Sequence, residues 1–383
     1  MRYFIVAGEA SGDLHASGLM KALIAGDNDA KFCFFGGNLM ESVGGRMLRH
    51  YREMAFMGFV PVLLHLPKIL LNMIDCRRAI RDFSPDCVIL VDYPGFNLRI
   101  ARYVKNSLHI PVIYYISPTV WAWKRGRIKT VKKYVDRMLC ILPFEPEFYK
   151  RNGYLDAVYV GNPTVDAVAL WAGREESFEE FSFANALSGK PVIAILAGSR
   201  RQEIRDNLPS MLEAASDFVD CQLVIAGAPS VEAAFYEQVQ SGCRAKATVV
   251  YGQTYRLLRQ SRAALVTSGT ATLEAALLRV PQVVCYRTRP KHIAAFIWKH
   301  FFDVEYISLV NLIAGREVVV ELFNERFSVE RIGKELHRLL HDGEHVRAIQ
   351  EGYDEVDKRL CCKDVSIRAA EVVFSFLAHR SGH

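Results

Sequence analysis

Short apolar runs recur along the chain, and each is followed by a longer stretch whose apolar positions repeat at helical spacing. Tyr3–Ala7 is the first such run and Phe32–Phe35 the second; Cys87–Val91, Val112–Ile116, Arg137–Leu142 and Ala157–Val160 follow. Between them, Leu14–Ala25, Leu98–Ser107 and Gly126–Tyr134 have helical pattern. Strands alternating with helices predict a parallel sheet covered by helices on both faces.

The pattern then restarts. Pro191–Leu196, Gln222–Ala226, Ala247–Val250, Ala263–Thr267 and Gln282–Tyr286 read as further strands, with helices predicted over Leu208–Phe218, Ser230–Gln240, Thr254–Gln260 and Ala271–Leu278. The fold class is therefore α/β, with two successive Rossmann-like doubly wound domains, 1–170 and 171–344, meeting near a polar stretch at Gly173–Lys190. Ser328–Ala378 is helical and charged, with no strand-like run. Doubly wound sheets bind ligands beyond the carboxyl ends of their strands, so motifs at those positions matter most.

Composition fits this picture. The 383 residues are 51% hydrophobic and 23% charged, which is globular and long enough for two cores. The net charge of +6 is mild, and no nucleic-acid partner is expected. Nine cysteines at irregular spacing contain no CxxC pair and suit a reducing compartment. Met1 runs straight into a strand-like segment, so no signal peptide is expected. No apolar run reaches the roughly 20 residues that a membrane span needs.

The first strand runs into Gly8-Glu9-Ala10-Ser11-Gly12-Asp13. Gly8 and Gly12 allow a tight turn, and the carboxylates and hydroxyl of Glu9, Ser11 and Asp13 would suit sugar hydroxyls; a well-made strand–helix turn with Asp13 as a cap fits equally. This is not GxGxxG, so a dinucleotide fingerprint is unsupported. Asp92 ends a fully apolar strand before Pro94-Gly95, where a carboxylate can take a proton from an attacking hydroxyl or, alternatively, cap the next helix. Trp121 and Trp123, in Ser117–Trp123, are placed either to stack on a sugar or acyl chain or to pack the loop.

Two segments suggest a membrane surface. Val62, Leu63, Leu66, Ile69, Leu70, Met73 and Ile74 recur at helical spacing, broadened by Leu64 and Leu71 and followed by Arg77, Arg78 and Arg81. A core helix is one reading; a face docked in acyl chains, with Val62, Leu63, Leu66, Ile69 and Leu70 towards the lipid, is the other. Lys124, Arg125, Arg127, Lys129, Lys132, Lys133 and Arg137 form the densest basic cluster, suited to phosphate or an anionic leaflet.

In the second half, Gly198-Ser199-Arg200 follows a strand and predicts an anion cradle. Ser268-Gly269-Thr270 opens a helix whose first amides would face a diphosphate, with Glu274 one turn in to receive ribose hydroxyls. Asn311 and Arg316 are polar residues in an apolar loop, with Asn311 either lining the nucleotide site or bonding locally. No metal site is expected: Asp27-Asn28-Asp29 matches DxD but sits in a polar turn, and no HExxH, GxSxG or P-loop occurs.

Taken in order, Gly8–Asp13, Ser117–Trp123, Leu142-Pro143-Phe144-Glu145, Gly198–Arg200, Ser268–Glu274 and Asn311–Glu317 resemble the lipid-A-disaccharide synthase family over nearly the whole chain. That resemblance implies the two-Rossmann-domain (GT-B) glycosyltransferase fold with a cleft between the domains, and the last helices, about 345–383, packing back on the first domain. It implies UDP-2,3-diacylglucosamine as donor and 2,3-diacylglucosamine 1-phosphate as acceptor. Transfer would be inverting, without metal or other cofactor, at the inner face of the Gram-negative inner membrane and in contact with its lipids. Asp92 would be the general base, with Asp13 and Glu9 as competitors. Ser199, Arg200, Ser268, Gly269, Thr270, Glu274 and Asn311 would hold the nucleotide, and Glu9, Ser11, Asp13 and Trp121 would line the acceptor side. The oligomeric state is open, a homodimer included.

Rivals share the fold: a UDP-N-acetylglucosamine transferase with a polyprenyl-linked acceptor, or a UDP-N-acetylglucosamine 2-epimerase, which needs no apolar face. A non-catalytic membrane-surface binding protein is the rival of another class, and Asp92, Arg200 and Glu274 speak against it.

Overall fold

The computed structural model describes residues 1–54, 66–122, 126–172, 176–287 and 305–381. The chain divides into two compact units, Met1–Pro163 with Cys362–His383, and Thr164–Cys361.

The first unit is a seven-stranded sheet, parallel throughout, of order β3-β2-β1-β4-β5-β6-β7. Its strands are β1 (Arg2–Ala7), β2 (Lys31–Gly36), β3 (Arg46–His50), β4 (Cys87–Val91), β5 (Val112–Tyr115), β6 (Arg137–Cys140) and β7 (Ala157–Tyr159). The central strands are buried at every position because helices cover both faces, which is why their sequences do not alternate. One layer of core gathers Phe4, Val88, Tyr114 and Ile100; the other gathers Ile5, Leu19, Ile89 and Val373. β3 carries Arg46, Arg49 and His50 and is at most half-buried, so its basic sequence concealed an edge strand.

The second unit has a six-stranded parallel sheet of order β10-β9-β8-β11-β12-β13. Its strands are β8 (Val192–Leu196), β9 (Gln222–Gly227), β10 (Thr248–Tyr251), β11 (Ser261–Val266), β12 (Gln282–Tyr286) and β13 (Glu321–Phe323).

The C-terminal helices do not act together as expected. Gly343–Leu360 belongs to the second unit, where buried Tyr353 donates to the Val280 carbonyl at 2.9 Å and Gly352 packs closely on Val318. Helix Val365–Ser381 alone joins the first unit. Its Val365, Ala369, Val373 and Leu377 share a core with Ala16, Leu19 and Leu23 of helix Ala10–Gly26, and its Ser366 and Phe374 lie against Gly18 and Gly26.

Helix Leu66–Phe83 separates the two readings of the apolar segment. Met73, Cys76 and Ile80 are buried in the core, whereas Leu70, Leu71 and Ile74 are 51%, 60% and 52% exposed and Ile69 is half-buried. Leu66 begins the helix, but its side chain, like Val62, Leu63 and Leu64, lies outside the described residues. Trp123, Lys124 and Arg125 also lie outside them. Asp27 of the DxD match sits in a surface turn, bonded to the Met1 ammonium at 2.7 Å and to the Asp29 amide.

Candidate active site

Each sheet reverses its strand order once, between β1 and β4 in the first unit and between β8 and β11 in the second. The loops leaving these strand pairs diverge and leave a crevice at their carboxyl ends. Four of the sequence motifs leave those four strands.

In the first unit, Asp92 and Tyr93 follow β4 with φ of 44° and 48°. Two consecutive side chains in the left-handed region are strained, and each costs of order 1 kcal/mol or more. The surroundings hold them. The Asp92 amide donates to the Tyr115 carbonyl at 2.9 Å, while its carbonyl accepts from the Tyr114 hydroxyl at 2.5 Å and from Asn97 Nδ2 at 2.7 Å. Tyr114 and Asn97 are both fully buried. The Tyr93 ring lies on the backbone of Gly8, where a Cβ would stand 2.3 Å from it, and its hydroxyl donates to the Met54 carbonyl at 2.9 Å.

The Asp92 carboxyl is left over from this network. No side chain caps helix Pro94–Tyr103, so capping does not explain Asp92. Burial, and then the nearby charge of Glu9, push its pKa up to about 6, against a smaller opposing pull from the Tyr93 amide. A carboxylate with a pKa near neutrality is a stronger base than a free one and still largely ionised at pH 7.

Other expected residues divide. Glu9 sits beside Asp92 closely enough to raise it, and Ser11 is exposed in the first turn of helix Ala10–Gly26. Asp13 is committed elsewhere. Buried, it accepts from the amides of Gly37, Leu39 and Met40 at 2.9, 3.1 and 3.0 Å, which caps helix Asn38–Val43 and takes it out of contention as a base. Trp121 is a packing residue instead of a sugar platform: its indole donates to Glu145 Oε1 at 3.2 Å and meets Phe144 edge-on at 5.1 Å. Glu145 also accepts from the Leu142 amide at 3.0 Å. Burial raises its carboxyl to about 7, opposed by those donors and by Ser117.

The second unit brings its predicted residues together. Ser199, Arg200, Ser268, Gly269, Thr270 and Glu274 line one cavity of about 380 Å³. Gly198 and Gly269, with φ of 116° and 150°, let the turns after β8 and β11 present backbone to the cavity. Glu274 is half-buried, accepts from the Tyr255 hydroxyl at 3.1 Å, and is raised by burial, with the Tyr255 bond opposing.

Two expectations change here. The Ser199 amide is not open: Glu203 Oε2 accepts from it at 3.0 Å, while Glu203 Oε1 meets Arg200 at 3.1 Å. Asn311 does not line the cavity. Fully buried, its amide bonds the Val319 carbonyl and Glu321 through Nδ2 and the Val318 and Val319 amides through Oδ1, so it latches its own loop. Arg316 pairs with Glu355 at 2.8 Å.

Sequence reading missed Glu203, Thr254, Thr267 and the Ala226–Pro229 loop after β9, all of which line the same cavity. Thr267 ends the strand run at the place where the switch-point rule puts a ligand, and its buried Oγ1 has no hydrogen-bond partner among the described residues. Among the described residues, no cluster of side chains is arranged to hold a metal ion.

The family model for lipid-A-disaccharide synthetase matches residues 3–372. The lipid-A-disaccharide synthase of Myxococcus xanthus is 40% identical over 381 residues, covering 98% of this chain and 97% of its own length. That of Geobacter sulfurreducens is 36% identical over 380 residues, with the same coverage. Among solved structures, the UDP-GlcNAc 2-epimerase of Neisseria meningitidis bound to UDP-GlcNAc gives a TM-score of 0.65 at 15% identity, covering 99% of this chain and 100% of that one. The glycosyltransferase of kitacinnamycin gives 0.63 at 13% identity, covering 98% and 99%. At such identities the solved structures share the fold, which transferases and epimerases have in common. The sequence relatives are specific, and by them the chain belongs to the lipid-A-disaccharide synthase family of glycosyltransferases.

Proposed function

We propose that the chain transfers 2,3-diacylglucosamine from UDP-2,3-diacylglucosamine to the 6-hydroxyl of 2,3-diacylglucosamine 1-phosphate, with inversion. The observation that carries this reading is Asp92, held in a strained turn at the end of β4 with its carboxyl raised to about 6. The Asp92 carboxylate takes the proton of the acceptor 6-hydroxyl. The bond from that oxygen to the donor's anomeric carbon forms as the bond to the diphosphate oxygen breaks. UDP leaves with the electron pair, and a single displacement inverts the anomeric centre.

The second unit's cavity holds the donor's nucleotide. Arg200 and the amides at the start of helix Thr270–Leu277 meet the diphosphate charge that develops as UDP departs. Glu274 receives the ribose hydroxyls. Glu9 and Ser11 lie on the acceptor side with Asp92.

Both substrates carry acyl chains, so the enzyme works at a membrane surface, at its cytoplasmic face. Exposed Leu70, Leu71 and Ile74 on one helix support a peripheral contact. No helix among the described residues is long and apolar enough to cross a membrane.

The deciding experiment mixes the protein with both substrates in detergent and EDTA, and follows free UDP and disaccharide. Acceptor-dependent UDP release with a β-linked product is expected. An α-linked product would rule out single displacement, and UDP binding without product would move the acceptor to a different lipid-linked sugar.

A further inference from the structure

The helix that follows the strained turn shares a second cavity with its neighbour in the first unit. Helices Pro94–Tyr103 and Arg127–Tyr134 line a space of about 520 Å³. Five cationic residues surround it, Arg99, Arg102, Arg127, Lys129 and Lys133, and no lining residue is acidic.

Elsewhere in this unit, basic side chains near the sheet find carboxylates. Lys105 meets Asp136 at 2.7 Å, Arg380 meets the same Asp136 at 3.2 Å, and Arg49 meets Asp75 at 2.6 Å. Around the cavity, Arg99, Arg102, Lys129 and Lys133 have no carboxylate partner among the described residues. Like charges gathered around one concave space repel one another, and a multivalent anion relieves that repulsion. Arg127, the fifth, is half-buried at the start of its helix.

Position narrows the choice of anion. Pro94 and Gly95, the two residues that follow Asp92 and Tyr93, form part of the cavity wall. The cavity wall therefore begins two residues along the chain from Asp92. Exposed apolar residues suited to lipid contact lie instead on helix Leu66–Phe83.

We propose that this cavity binds the phosphate monoester of the acceptor sugar and so positions the acceptor hydroxyl at Asp92. The proposal rests on the transfer reading above, from which the phosphorylated acceptor comes. A phosphate monoester carries close to two negative charges and three acceptor oxygens at neutral pH, which matches several converging guanidinium and ammonium groups better than a singly charged carboxylate would.

The test uses Arg99→Ala/Arg102→Ala/Lys133→Ala, since those side chains are exposed and their loss should leave the fold intact; half-buried Arg127 is kept. Binding of glucosamine 1-phosphate and of glucosamine is compared by calorimetry, and turnover is compared on acceptors with and without the phosphate. The wild-type chain should prefer the phosphorylated sugar. The triple variant should lose about tenfold or more of that preference, with a matching rise in KM for the phosphorylated acceptor, unchanged handling of the phosphate-free one and unchanged UDP affinity. Equal weakening towards both sugars, or no phosphate preference in the wild type, overturns the proposal. So does a loss confined to phosphatidylglycerol vesicles, which would assign the cations to the leaflet. If the diacyl substrates give no disaccharide while the cation-dependent preference for glucosamine 1-phosphate persists, the transfer reading fails and the cavity keeps its assignment.

Discussion

The two switch points are built on the same plan and carry different residues at their turns. In the second unit, glycines occupy the positive-φ positions after β8 and β11, Gly198 and Gly269, so the turns form without strain and offer backbone to a ligand. In the first unit the positive-φ positions after β4 hold Asp92 and Tyr93. Glycine there would remove the strain and, with it, the carboxylate. Binding a diphosphate asks for backbone approach and spread-out charge, whereas proton removal asks for one side chain held in one place. A crevice of one kind, formed once in each unit, would suit either task through the choice of residue at a few dihedral angles.

The sharpest way to break this comparison is Asp92→Asn. If the first unit supplies the base, turnover should fall by about a thousandfold while UDP affinity is unchanged. A protonated Asp92 cannot accept the proton, so kcat/KM should rise with pH through about 6 and level off above it. A profile that persists in Asp92→Asn would move the base elsewhere, to Glu9 first.

The complementary change in the second unit is Glu274→Ala. It should weaken UDP binding by roughly 10- to 100-fold, the range for loss of a charged hydrogen-bond partner, with a smaller effect on kcat at saturating donor. Unchanged UDP affinity would mean that Glu274 is held for Tyr255 and not for ribose.

Most of the sheet architecture was legible because buried parallel strands leave unbroken apolar runs. The strands missed were β3 and β13, one basic and half-exposed, the other three residues long. The site was legible only in position. Asp13, Trp121 and Asn311 sit in motifs of the right kind, yet each is consumed by contacts that sequence does not display: a neighbouring helix's amides, a buried Glu145, and a loop's own backbone. Polar residues near a crevice compete between ligand and scaffold, and that competition is decided by partners distant in sequence, such as Gly37 for Asp13. Glu203 was missed for the converse reason, since one helical turn after Gly-Ser-Arg reads as an ordinary first-turn acid.

A milder contrast lies within helix Leu66–Phe83. Leu70→Ser/Leu71→Ser/Ile74→Ser should lower binding to phospholipid vesicles by about tenfold, from the apolar surface no longer buried in lipid. Thermal stability should barely change, because all three are exposed. Met73→Ser, three residues from Leu70 but buried, should instead cost about 2 kcal/mol or more in urea unfolding. Unfolding of the triple variant would return the whole helix to the core reading.

The smallest expected effect tests the second unit's own economy. Glu203 occupies the Ser199 amide and pairs with Arg200, two of the groups a diphosphate would want. Its carboxylate is therefore a competitor for the site, and a diphosphate must displace it or share its partners. Glu203→Gln keeps the shape and a carbonyl acceptor for the Ser199 amide but removes the negative charge. Because the Arg200 side chain is 66% exposed, water and salt screen the repulsion, and the gain in UDP affinity should be about threefold at low ionic strength, shrinking as salt is added. A loss of affinity would carry the opposite lesson. It would mean that Glu203 holds the Gly198 turn in shape for the ligand, as Tyr114 and Asn97 hold Asp92 in the first unit, and that both crevices depend on a fixed turn before they depend on charge.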